Sequence, residues 1–397
     1  MFDELSTAGA EYEAPRQPAF QPEAQPQSQI EAAVSEVLAI ESMETGTTQR
    51  MPARVLGHFS GQLRLDADTA FDTLDAALAD LNAHAYMTTD QQSDKHQVVV
   101  LEGRYAPPER PWYLNAVLLV LTVFSTMFVG ATMSGSFAGL GDIFTGLPYA
   151  ISIMLILGAH ELGHYFAARH HNVAVTLPYF IPMPFLFFGT LGAFIQLREP
   201  MRNRKQLFDV GVAGPLAGLI FAIPILFLGI YTSEIEPLPT EEDCAEDESQ
   251  CGYILEGNSI FYGAAKYVVH GEWLPSDSRD MFLNQFAFAG WTGLFVTGLN
   301  LLPVGQLDGG HVLYTLLGPR ARRLYWPALI FMIVLAFNNP GWILWVFLLL
   351  FFGRAYAVPM NDITPLDPRR RILGIIALLI FVLVFVPSPV SFVNLAT

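Results

Sequence analysis

The chain has 397 residues, of which 52% are hydrophobic and only 15% charged, a balance that argues against an ordinary soluble globular protein. The formal net charge of −16 argues against a nucleic-acid partner, which would need a basic face. The only two cysteines, Cys244 and Cys251, sit in one acidic stretch. They form a disulfide if that stretch faces an oxidising compartment and stay free otherwise, and two thiolates alone make a poor zinc site.

In chain order, residues 1–50 are rich in Pro, Gln, Glu and Ala, as in PRQPAFQPEAQPQSQ, and are expected to be a disordered tail. The opening MFDELSTAGAEYEAPRQP has no basic patch followed by an apolar run, so no cleavable signal peptide is expected. Residues 53–105 have another character. RVLGHFSGQLRL and HQVVVLEGRY predict strands, and Phe71, Leu74, Leu78 and Leu81 fall on one helical face between them, giving a small soluble β-α-β module.

From Trp112 onward the pattern is that of a membrane protein. Expected spans cover about 112–133, 147–169, 208–231, 285–303, 324–338, 341–357 and 371–391. The expected fold class is therefore mainly α and polytopic, with about six to seven transmembrane helices, a re-entrant β-segment and a small α+β N-terminal module. A transmembrane core is assigned to 112–357 and a C-terminal transmembrane helix to 358–397. The basic connections 198–206, 318–323 and 367–371, with Arg104 and Arg110 ahead of the first span, all fall on one side of a seven-span path. The acidic connection 232–283, which has only Lys266 and Arg279, falls on the other. The positive-inside rule then makes the N-terminus cytoplasmic and the 232–283 loop external; the expected location is the cell's inner membrane.

Residues 173–197, VAVTLPYFIPMPFLFFGTLGAFIQL, fit no simple helix, because Pro178, Pro182 and Pro184 break the ladder. GTLGAFIQL looks like a β-segment, and the stretch is expected to dip in from the cytoplasmic side as a re-entrant hairpin lining a wet cavity. The third span carries Gly211, Gly214 and Gly218 in VGVAGPLAGL, a small-residue pattern expected to serve helix packing.

The second span contains GAHELGHYFA, residues 158–167. A charged residue at the centre of a membrane helix costs roughly 2.5–3.5 kcal/mol on insertion scales, so His160, Glu161 and His164 call for a chemical reason. His160 and His164 are four apart, and a helix presents both imidazoles on one face as two ligands of a tetrahedral zinc. Glu161 is placed to take a proton from a metal-bound water. A catalytic zinc takes a third protein ligand. NLLPVGQLDGGHVL, residues 300–313, offers Asp308 at compatible depth, with His311 as a competing ligand and Gly309 and Gly310 expected to allow a tight turn beside the metal.

The pairing of HELGH in one span with NLLPVGQLDGGH in a later one resembles the site-2 protease family of intramembrane zinc metalloproteases. GTLGAFIQLREPMRNRKQLFDVGVAGPLAGL further resembles the branch found in plastids and photosynthetic bacteria. The resemblance covers about 112–357. It implies that His160, His164 and Asp308 bind Zn²⁺, that Glu161 is the catalytic base, and that Asn300 holds substrate or stabilises the oxyanion. His311 then supports the ligand set without ligating. The segment Gly189–Leu197, with Gly189, Gly192 and Phe194, becomes the strand that pairs with substrate. The implied activity is hydrolysis of peptide bonds within or near transmembrane segments of membrane-anchored proteins, with membrane lipid as surroundings. The 232–283 loop is too short for the PDZ-type domain that many bacterial relatives carry. Two other readings compete: a catalytically inactive relative that binds membrane proteins, against which an intact Glu161 speaks, and a metal-ion transporter, for which the sequence shows no internal symmetry.

Overall fold

The computed structural model describes residues 26–44, 54–90, 93–105, 111–133, 139–240, 242 and 252–395. Cys244 and Cys251 lie outside these residues, as do 1–25 and 45–53 of the N-terminal region. The chain divides into two compact units.

The smaller unit contains helix α1 (Pro26–Val37), strands β1 (Leu38–Glu44) and β2 (Val55–Leu63), helix α2 (Ala67–Ala79) and strands β3 (Ala83–Thr89) and β4 (His96–Glu102). The strands form one sheet in the order β1-β2-β4-β3. Side chains of β2 alternate between buried and partly exposed, as one covered face requires. Phe71, Leu74 and Leu78 of α2 are buried, and Asp66 caps that helix by accepting the Thr69 amide at 3.1 Å.

Two expectations are corrected here. A disordered 1–50 fails over 26–44, where Ile30, Val34 and Val37 bury one stripe of α1 and Leu38 continues into a strand. The Pro and Gln content of the flanking sequence masks that stripe. A three-element β-α-β module is likewise too small, because β1 and β3 complete a four-stranded sheet.

The larger unit is helical. Among the described residues, three helices are long and apolar enough to cross a membrane: α3 (Tyr113–Met133), α4 (Leu147–His170, extended back to Gly141 by a 3-10 turn) and α5 (Arg204–Thr232). The regions expected to hold four more spans contain shorter helices, α7 (Gln285–Asn300), α9 (Tyr325–Asn338), α10 (Ile343–Phe352) and α11 (Pro368–Val384). Helices α4, α5 and α7 pack as a central trio around Ile153, Leu157, Leu226, Ile230, Trp291 and Leu294. Close approach explains the glycines there: a Cβ on Gly290 would lie 2.5 Å from Leu226 Cα.

Between α4 and α5 the chain forms a hairpin of β5 (Tyr179–Pro182) and β6 (Thr190–Phe194). Side chains pin it to the helices. Asn115 donates to the carbonyls of Leu177 and Pro178 at 2.8 and 3.0 Å, Ser125 to Gly189 O at 2.5 Å, and Tyr149 to Phe188 O at 2.9 Å. Beyond α5, β7 (Glu234–Pro237) pairs with β9 (Arg279–Phe282), and β8 (Gly252–Glu256) pairs with β10 (Val390–Asn394). Helix α6 (Ile260–His270) carries the buried Lys266, which meets Glu256 at 3.4 Å and Asp280 at 3.7 Å.

Candidate metal centre

The apolar run of α4 makes it a helix, and helical pitch puts His160 and His164 one above the other on its inner face. Both imidazoles and the Glu161 side chain are buried. The third group arrives from α8 (Asp308–Leu317), a short helix that starts directly after the Leu301–Leu307 turn. Gly309 and Gly310 are helical here, which differs from the expected tight turn. Their lack of a side chain serves close approach, since a Cβ on Gly309 would lie 1.9 Å from Leu301 O and one on Gly310 2.4 Å from Gly305 O. Asp308 is thereby pushed against the two histidines.

Three donor atoms converge. His160 Nε2 and His164 Nε2 are 3.1 Å apart, and each lies 3.3 Å from Asp308 Oδ2. A tetrahedral ion with bonds of about 2.0–2.1 Å needs donors about 3.3 Å apart, so the spacing fits one cation bound by two nitrogens and an oxygen. His164 supplies a second test. Its Nδ1 is 2.7 Å from Val210 O and donates there, which leaves a neutral imidazole with only a lone pair at Nε2. In that tautomer the lone pairs of His164 Nε2 and Asp308 Oδ2 point to one place, as two ligands of a single cation must.

The other residues singled out by sequence fall into two groups. A cavity of about 200 Å³ is lined by His160, Glu161, His164, Phe194, Asn300, Asp308 and His311 among others. Asn300 ends α7 with its Nδ2 3.2 Å from His160 Nε2, and the Ile195 backbone amide interacts with the Glu161 carboxyl. Among the described residues His311 Nδ1 is buried without a hydrogen-bond partner. Gly189 and Gly192 do not line the cavity. Gly189 packs on α3, and Gly192 shapes the hairpin at a φ of +98° that favours glycine.

The row of glycines expected to serve helix packing does more. A Cβ on Gly214 would fall 2.1 Å from His164 Nε2, one on Gly218 3.3 Å from His160 Cβ, and one on Gly211 3.0 Å from His311 Cβ. One face of α5 is thus a groove that seats all three histidines. The four-residue spacing of Gly214 and Gly218 matches that of His160 and His164, a correspondence visible in the sequence to anyone who pairs the two helices.

Residues 148–337 match the model of peptidase family M50. The chain carries a peptidase family M50 domain. Among curated proteins it is 26% identical over 348 residues to "Probable zinc metalloprotease EGY2, chloroplastic" of Arabidopsis thaliana, covering 84% of this chain and 60% of that one. It is 31% identical over 243 residues to "Probable zinc metalloprotease EGY1, chloroplastic" of the same plant, covering 61% and 43%. It is 27% identical over 296 residues to an EGY3 protein of rice with the same style of name, covering 70% and 49%. The chain thus spans about 60% of the length of the first of these relatives and less of the others. No solved structure matches it.

The M50 domain includes both motif-bearing segments, and its helices are tied at the end that holds the Asp308 turn. His171 Nε2 lies 2.9 Å from Asp209 Oδ2, and Arg370 grips both oxygens of Asp209 at 2.7 Å while also reaching Asp367. The hydrogen bond from Arg370 holds the Asp367 carboxyl below the usual carboxylate range. Asp209 precedes Val210, so this clasp fixes the carbonyl that orients His164.

Proposed function

We propose that this protein is an intramembrane zinc metalloprotease that cuts peptide bonds within or near transmembrane segments of membrane-anchored proteins. The observation that carries the reading is the triangle of His160, His164 and Asp308 donors, 3.1–3.3 Å on a side, buried beside the carboxyl of Glu161. The relatives' printed names and the M50 domain support zinc as the ion.

When bound, zinc supplies Lewis acidity, drawing the pKa of a coordinated water towards ~7 and polarising a carbonyl. The chain's own residues then do the following. His160 and His164 hold the ion from one face of α4, Asp308 closes the set from α8, and Val210 fixes the His164 tautomer. Glu161 takes the proton of the attacking water as its oxygen bonds to the carbonyl carbon. It passes that proton to the amide nitrogen as the carbon–nitrogen bond breaks, leaving a carboxylate and an amine. The Asn300 amide stabilises charge on the carbonyl oxygen.

A transmembrane helix keeps its amides hydrogen-bonded to itself, so it must unwind before water can reach them. Strand β6 has β5 on one side only, and Ala193, Phe194 and Ile195 line the cavity. An unwound substrate segment pairs along that free edge, which replaces its lost backbone hydrogen bonds and brings one peptide to Glu161. In this reading the long apolar helices α3, α4 and α5 cross the cell's inner membrane with the N-terminus in the cytoplasm, the shorter apolar helices complete the expected six to seven spans together with their flanking turns, and the hairpin is re-entrant.

Glu161→Gln should keep one zinc per chain by elemental analysis and lower cleavage of a reconstituted transmembrane substrate by at least ~10²-fold. Cleavage at the parental rate would remove Glu161 as the base. Asp308→Ala should lose zinc while His311→Ala retains it; the opposite pattern would make His311 the ligand.

A further inference from the structure

A second cavity, of about 150 Å³, shares none of its lining residues with the one around Glu161. Its walls include Trp112, Asn115, Tyr165, Thr176 and Arg198. Among the described residues no carboxylate lines it. We propose that this cavity binds the phosphate of an anionic phospholipid headgroup, with Arg198 as the principal contact; the inference does not depend on the protease reading.

The donors there lack acceptors. Among the described residues the Arg198 side chain makes no hydrogen bond or ion pair, and its Nη2 is sealed from water with no partner. The neighbouring carboxylate, Glu199, instead accepts the Ala174 amide at 2.6 Å. Thr176 Oγ1 accepts the Gln196 amide at 3.0 Å, which leaves its hydroxyl proton to give. The Tyr165 hydroxyl and the Trp112 indole N–H are likewise without acceptors among the described residues. The Asn115 amide is already committed to Leu177 and Pro178. A guanidinium and an indole that can only donate, beside two hydroxyls with protons to give, call for an anion with several oxygens, and Arg pairs with phosphate through two parallel bonds.

The position says which phosphate. Trp112 stands just before α3 and Tyr165 lies in the last turns of α4, so the cavity sits where two candidate spans end together. Trp112 and the adjacent Tyr113 are 69% and 62% exposed, and aromatic residues of this kind settle at headgroup level. Basic pockets between spans at that level bind acidic headgroups. The volume holds about five waters' worth of space, enough for a phosphate group whose acyl chains remain outside.

The test uses the full-length protein in detergent with fluorescently labelled phosphatidylglycerol, labelled phosphatidylcholine and inorganic phosphate as probes. Parent protein should bind phosphatidylglycerol at least ~10-fold more tightly than phosphatidylcholine, and Arg198→Gln should remove that preference. Arg198→Lys should keep part of it, because a point charge replaces the two-pronged contact. Unchanged helicity by circular dichroism in each variant reports an intact fold, and Arg198→Lys with Thr176→Val carries the test if Arg198→Gln does not fold. Retention of the full preference in Arg198→Gln would overturn the site. Displacement of phosphatidylglycerol by inorganic phosphate at equal concentration would overturn the lipid as its ligand.

Discussion

A methyl group in the middle of a helix usually stabilises it, since alanine there is favoured over glycine by roughly 0.5–1 kcal/mol. At Gly214 the same change drives a carbon to 2.1 Å from His164 Nε2, and the nearby atoms are those of the imidazole ring itself. The ring has no room to retreat, because its Nδ1 is bound to Val210 O at 2.7 Å. Gly214→Ala should therefore cost at least ~10-fold in zinc affinity, the scale of losing a group that orients a metal ligand. Helicity by circular dichroism should not change. Gly218→Ala, whose new carbon meets His160 Cβ at 3.3 Å, should be the milder of the two. Equal zinc affinity in parent and Gly214→Ala, by titration against a competing chelator, would refute this. His160, Glu161, His164 and Asp308 were legible because their spacing and their cost in an apolar segment stand out within a few residues of sequence. The seating of those histidines was not legible, because it depends on which helix lies opposite.

At the scale of elements, α8 has to be held where Asp308 can reach α4. One device is a buried cluster: Arg204 Nε of α5 lies 2.7 Å from Asp362 Oδ1, and Tyr314 of α8 donates to Asp362 Oδ2 at 2.8 Å. Asp362 is 3% exposed, so removing its charge strands the Arg204 guanidinium with little water to replace it. Breaking such a pair costs about 3 kcal/mol, the lower end of the usual range, because the Arg204 side chain keeps 17% exposure. Asp362→Asn should lower the thermal midpoint in detergent and weaken zinc binding together. Arg204→Gln added to Asp362→Asn should recover part of the midpoint by removing the stranded charge. A double variant less stable than Asp362→Asn alone would rule this account out. None of this cluster announces itself in the sequence, because Arg204 and Asp362 are separated by most of the membrane region. The long apolar helices are another matter: α3, α4 and α5 follow the expected boundaries within a few residues. The hairpin was readable from its prolines and its alternating GTLGAFIQL. Strand β1 and helix α1 were not, because a compositional reading averages over the stripe of Ile30, Val34 and Val37.

For the whole molecule, the proposed ion joins α4 to α8, two helices far apart in the chain, whereas the Asp362 cluster ties α8 to α5. A ligand that binds only the folded state stabilises it by RT ln(1 + [L]/Kd), about 4 kcal/mol at a thousandfold excess over Kd. Removing the ion with a zinc chelator should therefore lower the thermal midpoint of the parent by several degrees, and added zinc should restore it. Glu161→Gln keeps every proposed ligand, so its midpoint should fall and recover in the same way while its cleavage stays absent throughout. Asp308→Ala should begin at the chelated parent's midpoint and respond little to either treatment. These three responses separate holding the ion from using it, which activity alone cannot do. If chelation moved the parent and Asp308→Ala by the same amount, the stabilising ion would be bound elsewhere. The triangle of His160, His164 and Asp308 would then be three polar side chains that share a cavity without a metal between them.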